Sequence, residues 1–203
     1  MHRITTLEQL QELYGEPVPR SLTKELDYIS PHYRAFIEAA PFVALASVGE
    51  EGLDCSPRGD PAGFVRVVDE KTVQMPDRRG NNRLDSLRNI VRDPRVALLF
   101  LIPGVGETLR INGRAHLTTD PDICRSFEME GKIPTCVVEV TVDAVYFQCS
   151  KAIVRSRLWN METHIERSKL PTSGEIHAAL SKGAIDAAEY DRTYPEHIKK
   201  TIY

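Results

Sequence analysis

The chain has few aromatic side chains: they make up 7% of its 203 residues and include a single tryptophan. Proteins that bind single-stranded nucleic acid stack bases on aromatic rings that lie on a basic surface. The chain also lacks an excess of basic residues, since 26 lysines and arginines stand against 29 acidic residues and leave a formal net charge of -3. Both shortages speak against a nucleic-acid-binding protein.

Metal-binding patterns are missing from the sequence as well. The four cysteines are widely spaced without a C-x-x-C pair, and the six histidines form neither an H-E-x-x-H motif nor a pair at positions i and i+4. The sequence therefore predicts no metal site and no dithiol redox motif, and the histidine spacing gives little support to haem ligation. We expect free thiols at Cys55, Cys124, Cys136 and Cys149.

No apolar run approaches the roughly 20 residues that a membrane-spanning helix needs, and the first residues carry charges where a signal peptide requires an apolar stretch. We therefore expect a cytoplasmic protein without membrane contact. No internal repeat, low-complexity tract or clear linker is present, so we expect a single domain over residues 1–203. The sequence also lacks a phosphate loop, a nucleophile elbow and a dinucleotide-binding glycine pattern.

Arginine-rich turns are the main feature that the chain does have. One is S-P-R-G-D at residues 56–60, and the other is D-R-R-G-N-N-R at residues 77–83. The second turn precedes a short amphipathic segment, whose apolar side includes Leu84, Leu87 and Val91, so the turn lies at a predicted helix N-terminus. Such an end attracts anions because its first N–H groups are unpaired and the helix dipole is positive there. The pattern predicts a phosphate-binding site.

Helical patterns lie mainly at the two ends of the chain. Ser30 and Pro31 are typical of a helix N-cap and first turn, and Pro41 ends that helix. In the middle of the chain, about six short β-like runs are separated by tight turns and one inserted helix. A closed or split barrel suits such antiparallel strands better than an open sheet, because closure removes exposed edges. In residues 108–117 apolar and polar side chains alternate, and we expect Arg110 to face a polar cavity.

The order of these segments resembles the pyridoxamine 5'-phosphate oxidase-like flavoproteins, whose fold is the FMN-binding split barrel. The resemblance covers roughly residues 42–159. It rests on the S-P-R-G-D segment, the strands G-F-V-R-V-V-D and T-V-Q-M-P-D, the G-N-N-R turn and the run N-I-V-R-D-P-R-V-A-L-L-F. It implies a mainly β (α+β) protein with a six-stranded antiparallel split β-barrel, peripheral helices, a helical N-terminal extension over residues 1–41 and a C-terminal extension over residues 160–203.

The resemblance also implies the cofactor, FMN, and the residues that bind it. The arginine-rich turn would hold the phosphate, and the end of the preceding strand would lie beside the flavin. Arg58 or Arg66 would stand for the arginine of an earlier strand, and the strand after the loop at residues 103–107 would add a polar pair. The implied cofactor-binding residues are Arg58, Arg66, Met75, Pro76, Arg78, Asn81, Asn82, Arg83, Thr108 and Arg110.

A homodimer with flavin at the subunit interface is a further implication of the resemblance. In such a dimer, the segment after the last strand would cover the cofactor of the partner subunit. The residues expected to make these contacts are Ser150, Lys151, Arg155, Arg157 and Trp159.

The chain departs from the pyridoxamine-phosphate oxidases themselves, because Asp69 stands about where their substrate lysine would. This departure speaks against vitamin B6 oxidation. We therefore expect an FMN-dependent oxidoreductase that transfers hydride between flavin and an unidentified small organic substrate, with no catalytic side chain that the sequence identifies. The alternatives are a non-catalytic flavin-binding or flavin-sensing protein and a haem-binding split barrel, and a deazaflavin can take the place of FMN.

Several of these charged residues also have a purely structural interpretation. The arginine-rich turn can be a solvated surface turn, and Arg58 can form a salt bridge to Asp60 within a hairpin. Arg110 can lie on an exposed strand face without a ligand. The basic residues of segment 150–159 can form an exposed helix face, with Trp159 as an anchor in the core or in an interface.

Overall fold

The computed structural model describes residues 3–50 and 52–203, in which seven strands form one antiparallel sheet in the order β2-β1-β5-β6-β7-β4-β3. The strands are β1 (Phe42–Gly49), β2 (Gly52–Gly59), β3 (Arg66–Val67), β4 (Thr72–Pro76), β5 (Arg95–Leu101), β6 (Thr108–Thr118) and β7 (Val137–Gln148). The predicted mainly β class, an antiparallel split barrel with peripheral helices, is confirmed. The strand count is seven instead of six, with β3 contributing only two residues.

The described residues contain eight α-helices. They are α1 (Leu7–Tyr14), α2 (Pro19–Leu22), α3 (Pro31–Ala39), α4 (Asp85–Arg92), α5 (Pro121–Arg125), α6 (Lys151–Ser156), α7 (Ser173–Leu180) and α8 (Ala187–Thr201). As predicted, Ser30 caps α3, because its side-chain oxygen accepts the backbone N–H of Tyr33. Within the part of the chain that the structure describes, no helix is long and apolar enough to cross a membrane.

Alternating apolar and polar residues build the core between the strands. Leu45 of β1, Leu98 of β5, Ile111 of β6 and Val140 of β7 are almost fully buried. Because these four strands are neighbours in the sheet, their inward side chains meet in one cluster. Ile37 on α3 is fully buried in the same cluster, so this helix covers part of the barrel.

Helix α4 packs on the sheet through a face that the apolar pattern only partly predicts. Leu87 is buried as expected, but Val91 is 74% exposed and Leu84 is also exposed. The polar Asn89 is buried instead and donates a hydrogen bond from Nδ2 to Oγ of Ser47 at 3.0 Å. The prediction was wrong for Val91 because a polar contact with β1 determines which side of the helix faces the sheet.

The S-P-R-G-D segment was predicted as a turn, but Ser56 to Gly59 belong to strand β2. Pro57 pairs with Ala44 of β1 although proline cannot donate a ladder hydrogen bond. The position is tolerated because β2 is an edge strand, with β1 on one side only. Arg58 therefore lies on a strand instead of a flexible loop. The sequence G-E-E-G at residues 49–52 is typical of a hairpin turn, and it contains Glu51, which lies outside the described residues.

Strands β6 and β7 are the longest in the sheet, and their pairing is irregular between Asn112 and Gly113. A Cβ atom on Gly113 would lie 2.2 Å from the carbonyl oxygen of Thr141. Such irregularities bend a strand and bring backbones close together, which is a geometry that glycine permits.

Gly113→Ala is expected to destabilise the protein, because the added methyl group overlaps backbone that cannot move alone. Overpacking of this kind costs about 1–3 kcal/mol, measured by chemical denaturation. Gly80→Ala is the matched control, since a Cβ at Gly80 meets no atom within 4 Å among the described residues. Equal stability of the two variants would contradict the close approach of β6 and β7.

Candidate functional site

A cavity of about 870 Å³ lies beside the arginine-rich turn. This volume falls in the range of roughly 300–1,000 Å³ that is typical of small-molecule sites. Four parts of the chain form its walls: the end of β2, residues 77–87, residues 132–136 and Tyr203. Its basic side chains outnumber its acidic ones by five to two; they are Arg58, Arg78, Arg79, Arg83 and Lys132 against Asp77 and Asp85. The charge favours an anionic ligand.

The turn between β4 and α4 has an unusual backbone. Asn82 and Leu84 both have φ near 59°, in the left-handed region that leucine rarely adopts. The side-chain Oδ1 of Asn81 accepts the backbone N–H of Arg83 at 3.1 Å and so fixes the turn. Leu84 is the N-cap of α4 and makes no capping hydrogen bond with its side chain. The first N–H groups of α4 are thus left without a side-chain cap at the wall of the cavity.

Arg78 is held in place by a buried ion pair with Asp60. Its Nε donates to Oδ2 of Asp60 at 2.7 Å, and its NH1 donates to the carbonyl oxygen of Phe127 at 2.8 Å. The side chains of Arg78 and Asp60 are only 16% and 1% exposed. The second carboxylate oxygen of Asp60 accepts the phenol proton of Tyr203 at 2.7 Å. The salt bridge considered for Arg58 thus belongs to Arg78.

Arg58 lines the same cavity and forms no ion pair with any residue that the structure describes. Its Nε is buried and has no hydrogen-bond partner among residues 3–50 and 52–203. A buried, charged donor without an acceptor is costly, and native proteins rarely leave one unpaired. Arg83, in contrast, is exposed and donates from Nε to Oδ2 of the half-buried Asp85 at 2.9 Å. Arg58 is therefore the arginine of the cavity that most clearly requires an external acceptor.

Burial shifts the pKa values of two titratable groups next to Arg58. Burial raises the pKa of the Asp77 carboxyl, and the Arg58 guanidinium only partly opposes this shift. Burial, with a smaller contribution from the charge of Asp77, raises the pKa of the Cys136 thiol to about 11. The thiol is therefore protonated at neutral pH and is not a strong nucleophile. The backbone N–H of Asp77 also bonds the carbonyl oxygen of Cys136 at 3.0 Å, which joins two walls of the cavity.

The structure brings half of the predicted cofactor-binding residues to this cavity and places the others elsewhere. Those that line it are Arg58, Arg78, Asn81, Asn82 and Arg83. Met75 and Pro76 are buried within the sheet. The role of these seven residues as cofactor ligands remains a prediction.

The remaining predicted residues bind polar groups of their own chain. Arg66 donates to the side chain and backbone of Ser126. On β6, Thr108 bonds Gln148, while Arg110 donates from NH1 to the phenol oxygen of Tyr146 at 3.0 Å. The polar cavity expected at Arg110 is therefore not the cavity beside the arginine-rich turn.

The segment expected to reach a partner subunit packs on the loop between β5 and β6. Trp159 donates from Nε1 to the carbonyl oxygen of Val105 at 2.7 Å, which makes it an anchor within the chain. A Cβ on Gly106 would lie 2.7 Å from the Cβ of Ser150. Arg157 forms an exposed ion pair with Glu162. The expected contacts of Ser150, Lys151, Arg155, Arg157 and Trp159 with a partner remain predictions.

Two kinds of residue at the cavity are not identifiable from the sequence. Asp77 and Cys136 form part of its wall, but their proximity depends on the pairing of β4 with β7, which no local pattern specifies. Tyr203 and Asp60 are 143 residues apart in the sequence and still form a hydrogen bond. Only the three-dimensional structure reveals that contact.

The chain belongs to the pyridoxamine 5'-phosphate oxidase family, because the model of that family matches residues 29–149. The match covers the whole seven-stranded sheet and the arginine-rich turn. None of the curated proteins matches the chain.

Several solved structures are similar to this one at low sequence identity. HupZ of group A Streptococcus is 16% identical over 60% of this chain and 95% of its own, with a TM-score of 0.49. A Clostridium acetobutylicum protein of the pyridoxinephosphate oxidase family, related to general stress protein 26, is 12% identical over 58% of this chain and 86% of its own, with a TM-score of 0.44. A NimC/NimA family protein of the same organism is 10% identical with the same coverages and a TM-score of 0.41. These similarities are too low to bear on function.

Asp77→Asn is expected to stabilise the protein at neutral pH, since it removes the cost of a half-buried carboxylate whose folded-state pKa is raised. The full cost to folding stability applies above the raised pKa, where the Asp77 carboxyl is ionised in the folded protein. The cost is absent below the ordinary aspartate pKa, because this carboxyl is then protonated in both the folded and the unfolded state. The gain should therefore disappear as the pH falls through this window, as measured by thermal unfolding at a series of pH values.

Asp143→Asn is the control for this prediction, because Asp143 is exposed on β7 and forms no ion pair with any described residue. A surface change of this kind is expected to alter stability by less than about 0.5 kcal/mol. A gain from Asp77→Asn that is the same at every pH would show that the carboxylate charge is not its cause.

Proposed function

We propose that the protein is an FMN-dependent oxidoreductase that transfers hydride between the flavin and a small organic substrate. Family membership supports a flavin site, and one observation in the cavity carries the proposal: the buried Nε of Arg58 lacks an acceptor among the described residues. A phosphate oxygen of FMN would supply that acceptor. Arginine suits this role because its planar guanidinium matches the oxygens of a phosphate group.

The residues around Arg58 fit the phosphate of FMN in kind and in charge. The start of α4 offers N–H groups without a side-chain cap, and Asn81 and Asn82 lie in the turn just before it. Arg78 contributes charge but already uses Nε and NH1 for Asp60 and Phe127. Arg58 and the helix start are thus the groups that we assign to direct phosphate binding.

When bound, FMN supplies the redox chemistry, and the protein binds and orients the reactants. Asp77 is the titratable group of the cavity whose raised pKa brings its protonation closer to neutral pH. We propose a substrate other than pyridoxamine 5'-phosphate. Asp69, which stands about where the substrate lysine would, accepts the backbone N–H of Lys71 at 2.7 Å and so serves the turn between β3 and β4.

Arg58→Ala is expected to weaken FMN binding by about 1.5–3 kcal/mol, the range for a hydrogen bond to a charged group. Titration of FMN fluorescence measures the affinity. Arg92→Ala is the matched control, because Arg92 lies at the other end of α4 in an exposed pair with Glu50. Unchanged affinity in Arg58→Ala, with FMN still bound by the wild type, would remove Arg58 from the site.

Steady-state turnover with a reduced nicotinamide separates the proposed enzyme from a flavin-binding protein without catalysis. The enzyme oxidises the nicotinamide in the presence of FMN and an electron acceptor. Tight FMN binding without turnover for any donor would instead favour the flavin-sensing interpretation.

We also propose that the protein is a homodimer with flavin at the subunit interface. Exposed apolar side chains on the sheet support an interface, including Phe42, Phe147 and Leu53, of which the last is 85% exposed on the edge strand β2. The polar residues Thr108 and Arg110 bond side chains of β7 and do not line the cavity of their own chain, and we expect them to lie beside a partner's flavin. The free thiols of all four cysteines support a reducing, cytoplasmic location.

Sedimentation of the FMN-loaded protein is expected to give twice the chain mass of 22.9 kDa. If the flavin bridges the two subunits, removal of FMN should weaken the dimer, because a ligand stabilises the state to which it binds. A single species at the chain mass, with and without FMN, would contradict the interface site.

A further inference from the structure

Tyr203 forms part of the cavity wall although it follows the last helix of the chain. Its hydroxyl donates to Oδ1 of Asp60 at 2.7 Å. Its ring lies beside the guanidinium of Arg78, whose Cζ is 5.4 Å from the ring centroid, a distance suitable for a cation–π contact. The residue therefore contacts both members of the buried ion pair.

The segment that carries Tyr203 is otherwise loosely attached to the barrel. Helices α7 and α8 pack on each other, with the backbone N–H of Gly174 donating to Oδ1 of Asp191 at 2.9 Å. Helix α8 buries none of its own residues. Among the described residues, the bond from Tyr203 to Asp60 is the one hydrogen bond that joins residues 160–203 to residues 3–148.

Tyr203 influences Arg78 in two ways. Its hydroxyl occupies the carboxylate oxygen of Asp60 that Arg78 leaves free, which fixes the orientation of the carboxylate and of the arginine bonded to it. Its ring lies beside the guanidinium and lines the cavity beside the arginine-rich turn.

We propose that Tyr203 is a wall of the cofactor cavity and a positioning residue for Arg78, through which the C-terminal extension retains the bound cofactor. The inference rests on the proposed function, because it takes FMN as the occupant of the cavity. It adds a role for residues 187–203, which lie beyond the 29–149 segment that matches the family.

The rate of FMN release tests this role directly. After the loaded protein is diluted, the recovery of free-flavin fluorescence gives the dissociation rate. Tyr203→Ala removes both the ring and the hydroxyl and is expected to raise this rate by about 10- to 100-fold, because the cavity wall beside Arg78 and the hydrogen bond to Asp60 are lost together. Tyr203→Phe keeps the ring over Arg78 and should raise it by a smaller factor.

Tyr14→Ala is the control, because Tyr14 is 79% exposed on α1 and lies outside this cavity. Its dissociation rate should equal that of the wild type. Release of FMN from Tyr203→Ala at the wild-type rate would overturn the inference and leave the proposed function intact. Failure of the wild type to bind any FMN would instead refute the proposed function.

A second measurement tests the contact of Tyr203 without FMN. The hydrogen bond to Asp60 raises the pKa of the Tyr203 phenol, an effect that the charge of Glu130 supports and that of Arg78 opposes. In ¹³C-tyrosine NMR of the ligand-free protein, the resonance that Tyr203→Phe removes should titrate above the ordinary phenol pKa of about 10. Titration of that resonance at the ordinary value would show that the contact does not form and would overturn the inference whatever FMN does.

Discussion

A buried carboxylate must be neutralised where it lies, and that of Asp60 is 1% exposed. Arg78 supplies the opposite charge at 2.7 Å, and the arginine is fixed in turn by the carbonyl oxygen of Phe127. Removal of one member of such a pair costs about 3–5 kcal/mol, because the other charge is left buried and unpaired. The end of β2, the turn after β4 and the segment after α5 are therefore held together at one point, and the shape of the cavity depends on it.

The ion pair also divides the arginines of the cavity by role. Arg78 holds the cavity wall together through Nε and NH1, which have partners within the chain, and Arg83 is paired with Asp85 at the surface. Arg58 has a buried donor that no described residue satisfies. A cluster of basic residues in a sequence therefore does not indicate which of them binds a ligand. The distinction depends on where the acidic residues lie in the folded chain, and Asp60 lies against Arg78 instead of Arg58.

Local patterns predicted the strands well, because alternation along β6 and the apolar run of β5 directly reflect burial. The local patterns gave wrong predictions where contacts between distant parts of the chain determine the structure. Pro57 indicated a turn but lies in an edge strand, and Val91 is exposed because the polar pair of Asn89 with Ser47 orients α4. The arginine-rich turn was predicted as part of a site, and the structure places it on the cavity. The contribution of Tyr203 could not be predicted, since no sequence pattern specifies a contact between residues 143 positions apart.

The visible absorption spectrum of the purified protein, followed by release and identification of the chromophore, tests the central claim most directly. We expect the two absorption bands of a flavin, in the protein as isolated or after FMN is added, with FMN recovered on denaturation. A protein that is colourless and fails to bind added FMN would contradict it. A Soret band would contradict it as well and would favour the haem-binding interpretation of the same barrel.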